Sequence, residues 1–324
     1  MRRGRALLFT LLLLASPAAL SGAYAADWPA HPVRVVIPFG AGSATDIIPR
    51  IVFDQVGRDL GQQFIIENRG GAGGTIGEAA VAKAEPDGYT FLAASSAHAI
   101  APALYSKLTY SPKDDFTGVG IIGNVPSVMI ISPSKGIKTI QDFVTQAKAH
   151  PNKFTFATLG VGSAVHLAAE RFRMSAGYEA LNVPFKGGAE ALTEVIAGRV
   201  DYYFCPIATA LPYIKEGKLL GLTVSNPTRS PLLPDVPTTE EAGYHDSASA
   251  FWIGVFALKK TDKAIVDKLN AALTKAVDNP EVKAKLAKIG ADTAPMSADA
   301  FEKLVQKDFV TYADFAKKTG MKLN

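Results

Sequence analysis

Two glycine-rich turns are the segments of this sequence best suited to holding a ligand. Residues 36–43 read VIPFGAGS and residues 156–163 read FATLGVGS, so that G-x-G-S recurs after 120 residues. Glycine allows a close backbone approach and a positive φ, and successive N–H groups in such turns form a concave nest for anions. A helix that begins behind the turn adds the positive end of its dipole. The predicted chemistry is anion capture by main-chain hydrogens.

The sequence around these turns does not match nucleotide-binding or nucleophile motifs. A dinucleotide fingerprint requires glycine where Thr45 and Val165 stand, and neither turn is followed by G-K-[ST]. Both serines follow G-x-G directly, so that neither occupies a G-x-S-x-G nucleophile elbow. No two of the five histidines have metal-ligand spacing, although His98 and His166 lie near glycine turns. We therefore predict a receptor site with no cofactor, no metal and no catalytic residue.

The composition excludes several classes of protein. The 324 residues are 48% hydrophobic and 20% charged, which is typical of a globular chain. The formal charge of +4 includes Arg2, Arg3 and Arg5, and the lysine-rich stretches elsewhere are interleaved with acidic residues. A nucleic-acid binder is therefore excluded, because it needs a clustered positive surface. The single cysteine, Cys205, lies in an apolar run and is predicted to be a small buried side chain.

The N-terminus has the pattern of an export signal. Three arginines precede an apolar stretch over residues 6–14, and the small residues that follow end in Ala23-Tyr24-Ala25. Pro17 interrupts the apolar stretch before it reaches the roughly 18 residues that a membrane anchor needs. We expect residues 1–25 to be removed on export, which predicts a periplasmic protein.

Short apolar runs alternate with helical patterns along the rest of the chain. This alternation predicts an α/β fold with parallel sheets and helices on their faces. Because one core rarely grows beyond about 250–300 residues, the length favours two lobes. Strands are predicted at 33–39, 64–68, 89–95, 118–123, 127–133, 154–158, 180–185, 200–205, 219–225 and 251–258. Helices are predicted around 47–60, 167–172 and 192–196, and at 263–278, 281–289 and 298–318.

Several motifs occur together in an order that resembles a known family. They are WPxxPVRVVIPF at 28–39, GAGSATD at 40–46, ENRGGAGGTIG at 67–77, PDGYT at 86–90, FKGGAEAL at 185–192 and PTTEEAG at 237–243. Together they are similar to the extracytoplasmic solute receptors of tripartite tricarboxylate transporters, the Bug family. The match spans the mature chain. Two departures alter the hydrogen bonds around a ligand: Gly42-Ser43 replaces Gly-Gly or Pro-Gly, and Phe185 replaces a common tyrosine.

The resemblance implies a two-lobed, periplasmic-binding-protein-like (type II) clamshell in which each lobe is a doubly wound sheet flanked by helices. Residues 26–126 and 252–324 would form the first lobe, and residues 127–251 the second. Such a receptor holds a small carboxylate, either an aliphatic di- or tricarboxylate or an aromatic carboxylate, and delivers it to membrane permease subunits. It is expected to be a monomer. The alternative is an exported α/β enzyme acting on a carboxylate or ester, but the required nucleophile, base and orienting group are not found.

Carried onto this chain, the resemblance also implies the site residues. They are Phe39, Gly42, Ser43, Ala44, Thr45, Asp46, Ser95, Ser96, His98, Gly160, Gly162, Ser163, His166, Phe185, Lys186, Gly187, Gly188, Ala189 and Asp201. Asp46 either caps the helix, accepts a hydrogen bond from the ligand or orders a water. Lys186 is either a solvated lysine or a point charge in the cleft. Phe185 and Trp252 either form a flat ligand wall or pack in the core.

Overall fold

The computed structural model describes residues 28–320 except 227, 250 and 294, so that the predicted signal peptide, residues 1–25, lies outside the described residues. The strands are β1 (Val33–Ile37), β2 (Phe64–Asn68), β3 (Thr90–Ser95), β4 (Phe116–Asn124), β5 (Ser127–Ile131), β6 (Phe154–Thr158), β7 (Ala180–Pro184), β8 (Tyr202–Pro206), β9 (Leu220–Val224) and β10 (Trp252–Leu258). The predicted strands are all found, with their ends moved by at most two residues.

The helices are α1 (Ala44–Leu60), α2 (Thr75–Ala82), α3 (Ala97–Leu104), α4 (Pro112–Asp115), α5 (Ile140–Ala149), α6 (Ala164–Ala176), α7 (Gly188–Ile196), α8 (Ile207–Lys215), α9 (Lys263–Asp278), α10 (Pro280–Lys288) and α11 (Ala298–Thr319). The three helices predicted for the last third of the chain are α9, α10 and α11. Within the part of the chain that the structure describes, none of the helices is long and apolar enough to cross a membrane.

The strands form two five-stranded sheets. Their orders are β2-β1-β3-β10-β4 and β7-β6-β8-β5-β9. We call the first sheet with α1–α4 and α9–α11 the first lobe, and the second sheet with α5–α8 the second lobe. Because β4 and β5, and likewise β9 and β10, follow each other in the chain but belong to different sheets, the chain passes between the lobes twice.

Both sheets are mixed. The alternation of strands and helices in the sequence predicted parallel sheets, and this prediction was wrong. β1 is parallel to β2 and β3, and β6 is parallel to β7 and β8. In contrast, β10 is antiparallel to β3 and β4, and β5 is antiparallel to β8 and β9. β5 and β10 are the two strands that follow a passage between the lobes. Among the described residues, no crossover helix precedes them, so each enters its sheet from the carboxyl ends of the parallel strands and runs back.

Apolar side chains alternate between the two faces of each sheet. In β1, Val35 contributes to one core of the first lobe and Val36 to the other. In β8, Tyr203 and Cys205 face one core of the second lobe, and Phe204 faces the other. Strands buried on both faces in this way need helices on both sides. Cys205 is buried and unpaired as predicted, and burial raises the pKa of its thiol.

Helix α6 connects the lobes by packing. It belongs to the second lobe, yet its residue Ala164 packs in one core of the first lobe and its residue Leu167 packs in the other. A spacing of three residues places both side chains on one face of the helix. The lobes are therefore in apolar contact through α6.

Candidate functional site

Both sheets end at two neighbouring cavities. The carboxyl ends of β1, β3, β6, β7 and β8 lead into the cavity walls, which is where α/β sheets bind ligands. We call the cavity lined by Thr45, Ser95 and Tyr203 the inner cavity, and the cavity lined by the loop 70–74 and Tyr105 the outer cavity. The inner cavity has about 560 Å³ of empty space and the outer cavity about 1370 Å³, their open mouths included. The cavities share wall residues from both lobes, namely Phe39, Gly42, Ser43, Leu159, Gly188 and Ala189.

Three helices place their first two residues in the wall of the inner cavity. A fourth helix, α8, also begins there with its N-cap Pro206, but its Ile207 amide donates to the Pro126 carbonyl. Helices α1, α6 and α7 each line the inner cavity with their first two residues, which are Ala44 and Thr45, Ala164 and Val165, and Gly188 and Ala189. Among the described residues, the amides of these six have no hydrogen-bond acceptor, because the first N–H groups of a helix lack a partner within it. The positive ends of three helix dipoles meet here. The described residues of the inner wall include no lysine, arginine or histidine.

The first turn is anchored by a buried carboxylate. Gly42 has a φ of +79°, and its amide donates to Oδ2 of Asp46 at 2.8 Å. The other oxygen, Oδ1, accepts from Arg50 Nε at 2.8 Å and from Asn68 Nδ2 at 2.9 Å. Asp46 therefore uses its carboxylate to hold the turn. Ser43 is the N-cap of α1, yet its Oγ is buried and has no hydrogen-bond partner within the described chain.

The second turn is anchored by a neutral ring and by its serine. Gly160 and Gly162 have φ of +96° and +87°, and the Gly162 amide donates to Nδ1 of His166 at 3.4 Å. Ser163 Oγ donates to the Gly160 carbonyl at 2.7 Å and accepts from the His166 amide at 3.3 Å. Burial lowers the pKa of His166, which keeps the ring uncharged and able to accept the Gly162 proton.

The third turn, residues 185–189, completes the walls. Phe185 and Lys186 line the outer cavity, where Lys186 is exposed to solvent. Phe185 also packs against a core of the second lobe, and its role as a ligand wall stays a prediction. Trp252 is buried, and its Nε1 donates to Asp308 Oδ2 at 2.8 Å. It is a packing residue rather than a wall of either cavity.

Most of the residues predicted for the site line one or both cavities. These are Phe39, Gly42, Ser43, Ala44, Thr45, Ser95, Gly160, Ser163, Phe185, Lys186, Gly187, Gly188 and Ala189. Their contact with a ligand stays a prediction. Six others do not form the walls and are corrected to positioning or packing residues: Asp46, Ser96, His98, Gly162, His166 and Asp201. Asp46 and His166 each accept the second glycine amide of a turn, and Gly162 is the donor to His166.

The other three corrections follow from partners distant in the sequence. His98 is buried among aromatic rings, and its Nδ1 lies 2.9 Å from Oε2 of Glu78. Ser96 precedes α3, and its amide donates to the Trp252 carbonyl at 3.1 Å. Asp201 lies at the amino end of β8, where it accepts from Thr155 and pairs with Lys135 at 2.6 Å. That edge of the sheet is opposite the cavities.

Sequence reasoning did not assign several wall residues. Tyr203, Pro206, Thr209 and Phe251 line the inner cavity, and Tyr105 lines the outer one with the glycine-rich loop 70–74. In the sequence, this loop is marked only as part of a family motif. The aromatic residues carried no signal of their own, because a tyrosine or phenylalanine at a strand end is equally typical of a core.

Comparison with known proteins identifies the family. The family of tripartite tricarboxylate transporter receptors, TctC, matches residues 48–321. Protein BugT of Bordetella pertussis is 31% identical over 320 residues, which is 98% of this chain and 98% of BugT. MatC from Rhodopseudomonas palustris with bound malate is 33% identical with a TM-score of 0.83, and the match covers 89% of this chain and 99% of MatC.

A further solved structure has the same fold. An R. palustris protein with adipate is 31% identical with a TM-score of 0.87, over 92% of this chain and 100% of its own. These relatives confirm the predicted two-lobed receptor fold and a receptor rather than an enzyme. The chain belongs to the TctC family of tripartite tricarboxylate transporter receptors, which includes the Bug proteins.

Proposed function

We propose that this protein is an extracytoplasmic solute receptor that binds a small carboxylate between its lobes and delivers it to the permease of a tripartite tricarboxylate transporter. The observation that carries the proposal is the convergence of three helix N-termini on the inner cavity. Their unpaired amides favour a negative charge, and each helix N-terminus contributes about 0.3–1 kcal/mol, or up to about 2 kcal/mol when partly buried.

The cavity walls and the relatives support the proposed ligand class. MatC carries malate and the second R. palustris protein carries adipate, and both ligands are aliphatic dicarboxylates. Lys186 at the outer cavity can pair with a second carboxylate. Phe39 and Phe251 on the inner wall also suit a flat aromatic ring. The proposed ligand is an aliphatic di- or tricarboxylate or an aromatic carboxylate.

A thermal-shift screen with malate, adipate, citrate and benzoate tests this function. One carboxylate at about 100 times its Kd should stabilise the protein by about 2.7 kcal/mol and be recovered unchanged. A neutral sugar and an organic cation serve as controls. Turnover of the bound compound, or stabilisation by the sugar or cation with none by a carboxylate, contradicts the proposal.

The same proposal places the mature protein in the periplasm as a monomer. The export pattern over residues 1–25 and the family of receptors support this location. Intact mass spectrometry of the protein from a periplasmic extract should give a chain that begins at Ala26, and light scattering should give the mass of one chain. A mass that retains residues 1–25, or that of two chains, contradicts this part of the proposal.

A further inference from the structure

The two lobes touch at the outer cavity through backbone and one hydroxyl. Tyr105, at the end of α3 in the first lobe, has its Oη 3.0 Å from the carbonyl oxygen of Val161 in the second lobe. The same Oη lies 2.9 Å from the carbonyl of Ala72, in its own lobe. The tyrosine hydroxyl therefore stands between the glycine-rich loop 70–74 and the second glycine turn.

The glycine-rich loop fits closely between its neighbours because it lacks side chains. A Cβ added to Gly73 would lie 2.9 Å from Tyr105 Oη and 3.0 Å from the Val161 carbonyl oxygen. Gly73 also has a φ of +65°, which favours glycine. On the other side of the contact, a Cβ on Gly162 would lie 3.2 Å from the Tyr105 ring. Closure to this distance requires glycine at residue 73.

The hydroxyl has one proton and two carbonyl acceptors. When the lobes separate, it can donate fully to Ala72 without leaving its own lobe, so that opening leaves no buried donor unpaired. When the lobes meet, Val161 becomes a second acceptor. The interlobe bond is therefore weak and reversible, as a receptor that must release its ligand requires.

We infer that Gly73, Tyr105 and Val161 form an interlobe latch that sets how long a ligand stays bound. The inference rests on the proposed function. The latch lies on the wall of the outer cavity, which adjoins the inner cavity along shared residues of both lobes. A ligand held at the three helix N-termini leaves through this outer space when the latch opens. Tyr105 is thus a positioning residue that acts on the lobes rather than on the ligand.

The first test removes the hydroxyl. With malate or whichever carboxylate stabilises the protein, Tyr105→Phe should raise the dissociation rate about two- to threefold and leave the association rate unchanged. This is less than the effect of a full hydrogen bond, because the hydroxyl proton is shared with Ala72. The melting temperature of the unliganded protein should fall slightly, because the bond to the Ala72 carbonyl is lost as well. The matched control is Tyr89→Phe. Its hydroxyl accepts from the Ala30 amide within the first lobe, next to the amino end of β3 and away from the cavities. Equal dissociation rates for Tyr105→Phe and wild type overturn the latch.

The second test blocks the close approach. Gly73→Ala should weaken binding at least tenfold, because its methyl group prevents the lobes from meeting. Gly61→Ala is the matched control: Gly61 has a similar φ of +69°, but an added Cβ would have no atom within 4 Å. Both variants place alanine at a positive φ, but only Gly73→Ala also adds a methyl group between the lobes, so the comparison distinguishes backbone strain from loss of interlobe contact. Equal losses of affinity in the two variants overturn the latch.

A third measurement keeps failure of the latch distinct from failure of the proposed function. Spin labels at Ile65→Cys and Leu181→Cys, which are 50% and 51% exposed on the two lobes, report the interlobe distance, and Cys205 is buried. Gly73→Ala should shift this distribution to longer distances, with or without a carboxylate. If wild type binds no carboxylate but the shift is seen, the latch stands and the proposed function fails. If the distributions coincide in both conditions, the latch is overturned.

Discussion

The two G-x-G-S turns share the conformation of their second glycine and differ in their first, since Gly160 has a positive φ and Gly40 does not. They also have different anchors. Gly42 and Gly162 both take a positive φ, and both donate their amide to the side chain four residues later. That side chain is the carboxylate of Asp46 in the first lobe and the neutral ring of His166 in the second. The serines differ as well: Ser163 caps its helix, while Ser43 Oγ has no partner among the described residues.

The two lobes share main-chain features and differ in the side chains that hold their turns. The shared part is main-chain: two turns and the helix N-termini behind them, which offer unpaired amides to one cavity. The side chain four residues after the glycine differs between the lobes, but in both it is a hydrogen-bond acceptor for the glycine amide. The Ser43 hydroxyl is a group that a ligand can still engage.

The largest difference between the turns should appear when their anchors are removed. Asp46→Ala leaves the Gly42 amide without its acceptor, removes one of the two acceptors of Asn68 Nδ2 and the partner of Arg50, and should lower the free energy of unfolding by about 3 kcal/mol. His166→Ala removes one long hydrogen bond and a buried ring, and should lower it by about 2 kcal/mol. Urea denaturation measures both.

The control for this pair is Asp54→Ala, in the same helix as Asp46. Asp54 forms an exposed pair with Arg58 and should contribute less than about 0.5 kcal/mol. An Asp46→Ala protein as stable as the Asp54→Ala protein would show that the carboxylate does not anchor the turn.

Alanine at the second glycine of each turn should give a smaller effect that is again unequal. Both residues have positive φ, where a side chain costs about 1–2 kcal/mol. A Cβ at Gly42 has open space, but one at Gly162 meets the Tyr105 ring at 3.2 Å. Gly162→Ala should therefore be the less stable variant in thermal unfolding. The reverse order would contradict the described contact between the second turn and Tyr105.

Alanine substitutions of the two serines should differ in their effect on the free energy of unfolding by about the contribution of one helix N-cap. Ser163→Ala loses the cap of α6 and should destabilise the protein by about 1 kcal/mol. Ser43→Ala removes a buried hydroxyl that has no described partner, and its free energy of unfolding should stay within about 0.5 kcal/mol of wild type. Denaturant midpoints of the two variants measure the difference. Similar losses for both serines would mean that Ser43 also caps its helix.

A pH series gives the finest distinction between the turns. Burial lowers the pKa of His166 in the folded protein below its ordinary value of 6.5. As the pH falls, His166 is therefore protonated in the unfolded chain before it is protonated in the folded protein. The stability due to the neutral ring is present above pH 6.5 and is lost as the pH falls below it. His166→Gln should remove this loss, so that the wild-type advantage shrinks between pH 7.5 and 5.5. An advantage that grows on acidification would contradict the neutral ring.

The sequence predicted the parts of the molecule that depend on local patterns. Strand positions follow from runs of apolar residues such as β1, and the turns follow from glycines that need positive φ. The antiparallel direction of β5 and β10 was missed, because it depends on the passage of the chain between lobes rather than on any local pattern.

The sequence predicted the parts of the site that the main chain forms. It predicted less well the side chains whose partners are distant in the sequence. His98 lies near a glycine turn in sequence, but Glu78 holds it in a core. Asp201 is paired with Lys135, 66 residues earlier, at the far edge of the sheet. Tyr203 lines the inner cavity from a strand that reads as core. Such pairings form only after the chain has folded.

An amide NMR titration with a bound carboxylate tests the central claim most directly. If main-chain hydrogens at the three helix N-termini grip the anion, the amide protons of Ala44, Thr45, Ala164, Val165, Gly188 and Ala189 should shift downfield together as the ligand saturates the protein. Largest shifts on residues away from the inner cavity, with these six amides unchanged, would contradict the account.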